Sequence, residues 1–203
     1  MRKSLAMSVL AFVLICGGIF AQNRNPVTWE MALVQEIGSE VKTFPPQRIN
    51  LKSGDEYCIY VKSDSPGYCY VIKEDPNEIS SLVFSGTLAA GKPVQIMENS
   101  EDYIFYTVPS GTGIIHYDIV VSSAPRPNLE RYWNHGTGLN LTRAQQTALE
   151  DEVIAIRNSI STFAEAPAKP VDMGGTVRGR IETPKAYQYE GQDTYVKTVT
   201  IRY

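Results

Sequence analysis

The sequence predicts a mainly β fold: sandwich-like antiparallel sheets with one or two packed α-helices. Three observations carry this. Runs of four to nine residues with period-two alternation recur from Arg48 onward, separated by Gly, Pro, Asn and Asp turn signals. The chain holds 12 tyrosines against 6 phenylalanines, a balance that suits strands with half-wet faces. One long segment, about residues 142–163, switches to a helical period.

The N-terminus, MRKSLAMSVLAFVLICGGIFAQ, has Arg2 and Lys3 ahead of an apolar run to Phe20, then Ala21 before a polar stretch. That order predicts a secretory signal peptide over 1–21. Its apolar core is shorter than the ~20 residues of a membrane span. A lipoprotein is the competing reading, because Cys16 lies in the run; Ile15, where lipid attachment asks for a small residue, speaks against it. The expected location is periplasmic or secreted. Residues 22–203 then form a single β-rich domain with no further membrane span.

Losing Arg2 and Lys3 takes the formal net charge from −3 to −5. A mildly acidic chain without a basic stripe has no electrostatic footprint for nucleic acid.

Along the domain, Trp29, Leu33, Ile37 and Val41 recur every four residues and predict a short helix over 28–41, ended by Pro45-Pro46. Arg48–Leu51, Tyr57–Lys62 and Tyr68–Lys73 read as strands, Leu82–Phe84 as a short apolar run, and Pro93–Met97 as an edge strand. Tyr103–Val108 and Ile114–Val121 read as a hairpin through Pro109–Gly113. Its second strand sets Ile115, Tyr117, Ile119 and Val121 on one face. Residues 122–140 read as a loop. Thr142 and Gln145 have capping-box spacing before a helix whose stripe is Leu149, Val153, Ile156, Ile160 and Phe163. Residues 164–175 read as a loop. The terminal run, with Tyr195, Val199, Ile201 and Tyr203 on one face, is expected to return to the main sheet.

Several motifs invite a chemical reading. Cys58 and Cys69 flank a Ser-Asp-Ser-Pro-Gly turn on consecutive strands. In an oxidising compartment, a hairpin register that opposes them would make them a candidate disulfide. The alternative is two small core side chains that stay reduced. Ten residues separate them, which is no CxxC redox pair. His116 and His135 stand at no ligand spacing from a cysteine, so no metal is expected. Glu150-Asp151-Glu152 lacks the alternating oxygens of a calcium loop and suits a helix start.

His116 and Asp118 share a strand face and with a serine could build a catalytic relay, but no GxSxG elbow marks a nucleophile. Tyr132, Trp133, Asn134 and His135 could line a ligand site in a loop. The competing reading has Trp133 anchoring the loop in the core. Gly111-Thr112-Gly113 and Gly136-Thr137-Gly138 lack the Lys and spacing of a phosphate loop.

Residues 49–123 also resemble a bacterial extracytoplasmic family, the domain of unknown function 4384. The motifs are Leu51-Lys52-Ser53-Gly54-Asp55, Gly67-Tyr68-Cys69-Tyr70-Val71, Leu82-Val83-Phe84, Gly91-Lys92-Pro93 and Val108-Pro109-Ser110-Gly111, in that order, with the C-terminal strand as a candidate addition. Asp75-Pro76-Asn77-Glu78 departs from the family's glycine after its acidic turn. The resemblance implies an all-β envelope module; it does not point to a reaction.

The expected function is a non-catalytic binding or interaction module of the cell envelope, without cofactor, whose partner is an envelope protein or glycan. Two alternatives stand beside it. One is an envelope hydrolase using the His116/Asp118 face or the Trp133–His135 loop. The other is a structural subunit that pairs through an edge strand.

Overall fold

The computed structural model describes residues 26–37, 40–44, 48–96, 106–134, 137–160, 169–172, 175–177, 180–182 and 185–203. The leader, Cys16, Tyr103, His135 and Phe163 lie outside them. The strands are β1 (Pro26–Ile37), β2 (Glu40–Phe44), β3 (Arg48–Asn50), β4 (Glu56–Ser63), β5 (Gly67–Glu74), β6 (Ser80–Leu88), β7 (Val94–Ile96), β8 (Tyr106–Thr107) and β9 (Ile114–Ser122). After helix α1 (Pro127–Glu130) come β10 (Trp133–Asn134), β11 (Thr137–Gly138) and helix α2 (Arg143–Ser159). The chain closes with β12 (Lys169–Asp172), β13 (Gly175–Val177), β14 (Arg180–Glu182), β15 (Lys185–Gln192) and β16 (Thr194–Arg202).

The protein is mainly β, as its alternation predicts. One large sheet runs β6-β5-β9-β16-β15-β1-β4-β7, with β2, β3, β8 and β12 pairing alongside. Its pairings are antiparallel except β16 with β3. Side chains from one face of both halves form a common core: Trp29, Met31 and Leu33 from β1, Tyr57 and Ile59 from β4, Cys69 and Val71 from β5, Tyr117 and Ile119 from β9, Val199 and Ile201 from β16. Strands far apart in the order therefore meet through their side chains, so the sheet bends over and packs on itself in the manner of a sandwich. Within this core Trp29 stacks on Tyr189 at 4.8 Å and meets Tyr195 edge-on at 5.4 Å. Among the described residues β7 pairs only with β4 and ends the sheet, as its proline-flanked run predicts.

The expected helix over 28–41 is a strand instead. β1 lies between β15 and β4, with Trp29 opposite Tyr189 on one side and Ser63 on the other. It is buried on both faces: Val27, Trp29, Met31 and Leu33 enter the main core, while Ala32 and Val34 join Cys58, Tyr60 and Ala186 behind it. A strand covered on both faces loses its polar alternation. Three or four large side chains at chance intervals then imitate a helical stripe. Glu30, on the back face, is neutralised by Lys62 from β4 at 3.0 Å.

The expected hairpin between Tyr103–Val108 and Ile114–Val121 does not form among the described residues. β8 pairs with β4, whereas β9 pairs with β5 and β16. The connection through Pro109–Gly113 links the two halves of the sheet rather than turning within one. Alternation assigns β9 its inward face correctly, with Ile115, Tyr117, Ile119 and Val121 all buried. It cannot choose the neighbouring strand.

β15 and β12 carry no clear strand signal in the sequence. β12 falls in the expected loop over 164–175, and β15 carries mixed residues with a glycine. β16 does return to the sheet, antiparallel to β9 from Thr194↔Ser122 to Arg202↔Ile114. A tight turn at Asp193, φ 60°, joins it to β15.

The opposite face of β5, β6 and β9 carries a second core. Tyr70, Ile72, Leu82 and Val120 are covered by Leu129, Tyr132 and the α2 stripe Leu149, Val153 and Ile156. α2 starts on the expected capping box: the Gln145 backbone N–H donates to the Thr142 hydroxyl, and the Thr142 N–H donates to the Gln145 side chain.

Candidate functional site

A cleft with several polar and charged side chains opens where α2 rises from this second face. Sheet register builds its floor. Glu74 of β5 stands opposite His116 of β9, which stands opposite Thr200 of β16. One step along, Ile72, Asp118 and Thr198 make a parallel row. These residues alternate with the inward-facing ones and so present to α2. Glu150, Val153, Ile154 and Arg157 of α2 and Ser80 of β6 complete the wall, enclosing about 240 Å³.

Most polar groups there have a definite partner. Arg157 donates to the Asp118 carboxylate at 2.8 Å and to the Thr198 hydroxyl at 2.9 Å, and Thr198 in turn donates to Asp118 at 2.6 Å. Arg157 lies in the last turn of α2, where a cation also complements the helix dipole. His116 Nδ1 lies 3.1 Å from the Thr200 hydroxyl. The buried Ser80 hydroxyl donates to Glu150 at 2.6 Å. The serine, imidazole and aspartate therefore share one cleft without forming the serine–histidine–aspartate chain of an acyl-transfer relay. The face predicted from His116 and Asp118 exists; the groups that join it, Glu74, Ser80, Glu150 and Arg157, were not assigned to it from sequence.

The Tyr132–His135 stretch is placed differently. Tyr132 is buried in the second core and Trp133 packs half-buried against it. Arg131 lies over the Tyr132 ring at 4.7 Å and donates to its hydroxyl at 2.7 Å. Trp133 and Asn134 form the small ladder with Thr137–Gly138. Of the three described residues only Asn134 is exposed, so the aromatics here anchor the loop.

The candidate disulfide is corrected: Cys58 and Cys69 are both free and buried. The turn between them does not close a two-stranded hairpin. β4 pairs with β1, β7 and β8, and β5 with β6 and β9. Cys69 also faces the main core, whereas Cys58 faces the small cluster behind it. Burial pushes the Cys58 thiol up to about 12 and raises Cys69 further. Neither is a ready thiolate. Among the described residues, no group of three or more His, Cys, Asp or Glu side chains is arranged to hold a metal ion. No helix there is long and apolar enough to cross a membrane.

A polar lock at the other end of β5 also escaped sequence reading. The Tyr70 hydroxyl donates to Glu130 at 2.7 Å and accepts from the Arg126 backbone N–H at 2.8 Å. Arg126 Nε donates to the Ser122 hydroxyl at 3.2 Å, and its Nη2 donates to Thr194. Burial, reinforced by the Glu130 carboxylate, raises the Tyr70 phenol above its ordinary range. The lock pins α1 to the junction of β9 and β16.

The chain matches no family model, no curated protein and no solved structure.

Proposed function

We propose that this chain is an exported, non-catalytic binding or interaction module of the bacterial cell envelope, whose ligand seat is the cleft between β5, β9 and α2. The observation that carries the reading is the division of partners inside that cleft. Ser80 is committed to Glu150 at 2.6 Å while His116 contacts Thr200 at 3.1 Å. A concave, polar, pre-built surface supports recognition, and the separate pairings leave the Ser80 hydroxyl without a histidine partner. The leader-like N-terminus and the motif order shared with the domain of unknown function 4384 support export and an envelope role.

An envelope hydrolase is the second reading, favoured by the convergence of Ser80, His116, Asp118 and Glu150 on one cleft. Two measurements separate the readings. Fractionation with mass analysis of the exported protein is expected to show cleavage after Ala21 and recovery outside the cytoplasm. Assays against peptide, ester and glycan substrates are expected to show no turnover. Turnover abolished by His116→Ala would establish the hydrolase instead.

A further inference from the structure

We propose that the cleft receives a basic side chain, lysine or arginine, presented by a partner polypeptide with apolar residues beside it. This rests on the binding reading above and names its ligand chemistry. The first argument is charge. Three carboxylates, Glu74, Asp118 and Glu150, face the cleft against one guanidinium, Arg157. Arg157 is held by Asp118 and Thr198. Glu74 has no ion-pair partner among the described residues, and Glu150 accepts from the neutral Ser80. The unbalanced charge therefore sits at the β5 and α2 walls, where it attracts a cation and repels phosphate or carboxylate ligands.

The second argument is independent of charge. The described large apolar side chains left exposed are Ile79, Ile114, Leu139 and Ile154. Ile154, 51% exposed, lines this cleft. Ile114 lies two positions from His116 on the same face of β9. An acidic seat with an apolar rim matches a cationic head on an aliphatic stem with apolar neighbours. The third argument is size. A volume of about 240 Å³ falls below the ~300 Å³ where whole small-molecule sites begin. It suits one long side chain.

The test uses the protein purified after export and the capped peptide Ala-Ile-Lys-Ile-Ala, followed by NMR titration. Shifts are expected to centre on Glu74, Ser80, His116, Glu150 and Ile154. Replacing the peptide lysine with norleucine is expected to weaken binding roughly tenfold or more, and so is the E74Q/E150Q variant. Raising salt from ~0.05 to ~0.5 M is expected to weaken it as well. Arg157→Met removes the competing cation and is expected to tighten binding several-fold, a gain that misfolding cannot imitate. Equal binding of the norleucine peptide, shifts centred elsewhere, or no gain in Arg157→Met would overturn the assignment. Equal binding of free 1,5-diaminopentane would assign the cleft to small amines instead of a polypeptide. None of these outcomes bears on whether the module is non-catalytic, which falls with the His116-dependent turnover described above.

Discussion

The hydroxyls of Tyr57 and Tyr117 lie 2.7 Å apart inside the protein, although β4 and β9 are not neighbours in the sheet. The pair is a direct strut between the two halves of the folded-over sheet. Both rings are buried, and Tyr106 packs on each of them at 5.4 and 5.9 Å. Removing one hydroxyl takes a buried hydrogen bond from the other. Tyr117→Phe is therefore expected to cost about 1–3 kcal/mol in urea unfolding. The double variant with Tyr57→Phe should cost less than the two singles added together, because it removes both polar groups. Strict additivity would mean that the hydroxyls do not interact.

The buried thiols make stability depend on alkaline pH. Burial raises the folded value of Cys58 from 9.0 to about 12, and raises Cys69 in the same direction. The native state then keeps its thiol proton after the unfolded chain has lost it. This contribution is complete below pH 9.0 and is lost as pH climbs towards about 12. Each thiol adds a slope of roughly −1.4 kcal/mol per pH unit within that window. Urea melts between about pH 8 and pH 10 should show the decline, and Cys58→Ala should reduce it. Reductant is expected to leave the melting temperature unchanged, because neither thiol is bridged.

Deletion of residues 194–203 is expected to abolish cooperative unfolding. β16 bridges β9 and β15 in the centre of the order and adds β3 along part of its length. Its loss exposes the edge of β9 and takes Tyr195, Val199 and Ile201 from the main core. Near-ultraviolet circular dichroism should collapse towards that of a denatured chain. A retained sharp melt would show that the sheet halves are stable without their central strand.

Helix α2 should respond in two distinct ways. Thr142→Ala removes the cap and is expected to cost about 1 kcal/mol. Leu149→Ala, at a fully buried position against β5 and β6, should cost about 2–5 kcal/mol. Chemical denaturation of both variants gives the ranking, and a larger loss from the cap would contradict the packing described.

Arg157→Met should change stability by less than about 1 kcal/mol, because its pair with Asp118 is partly solvated, with 48% and 26% of the two side chains exposed. The variant therefore alters the charge of the cleft with little cost to the fold, as a denaturation midpoint close to that of the parent would show.

The sequence by itself determined what short-range chemistry can encode. The strands β4, β5, β9 and β16, the inward face of β9 and the capped start of α2 all follow from alternation, turn residues and a four-residue box. Such signals act over a few residues and survive in a single chain read from end to end. Only the tertiary structure decided which strands adjoin. It turned the stripe of Trp29 and Leu33 into a doubly buried strand, and it parted Cys58 from Cys69 onto opposite faces. It also assembled the cleft, since Glu74, Ser80, His116, Glu150 and Arg157 come from three strands and a helix. Strand pairing and burial on both faces are long-range choices, made by the free energy of the whole core, and no local pattern of residues records them.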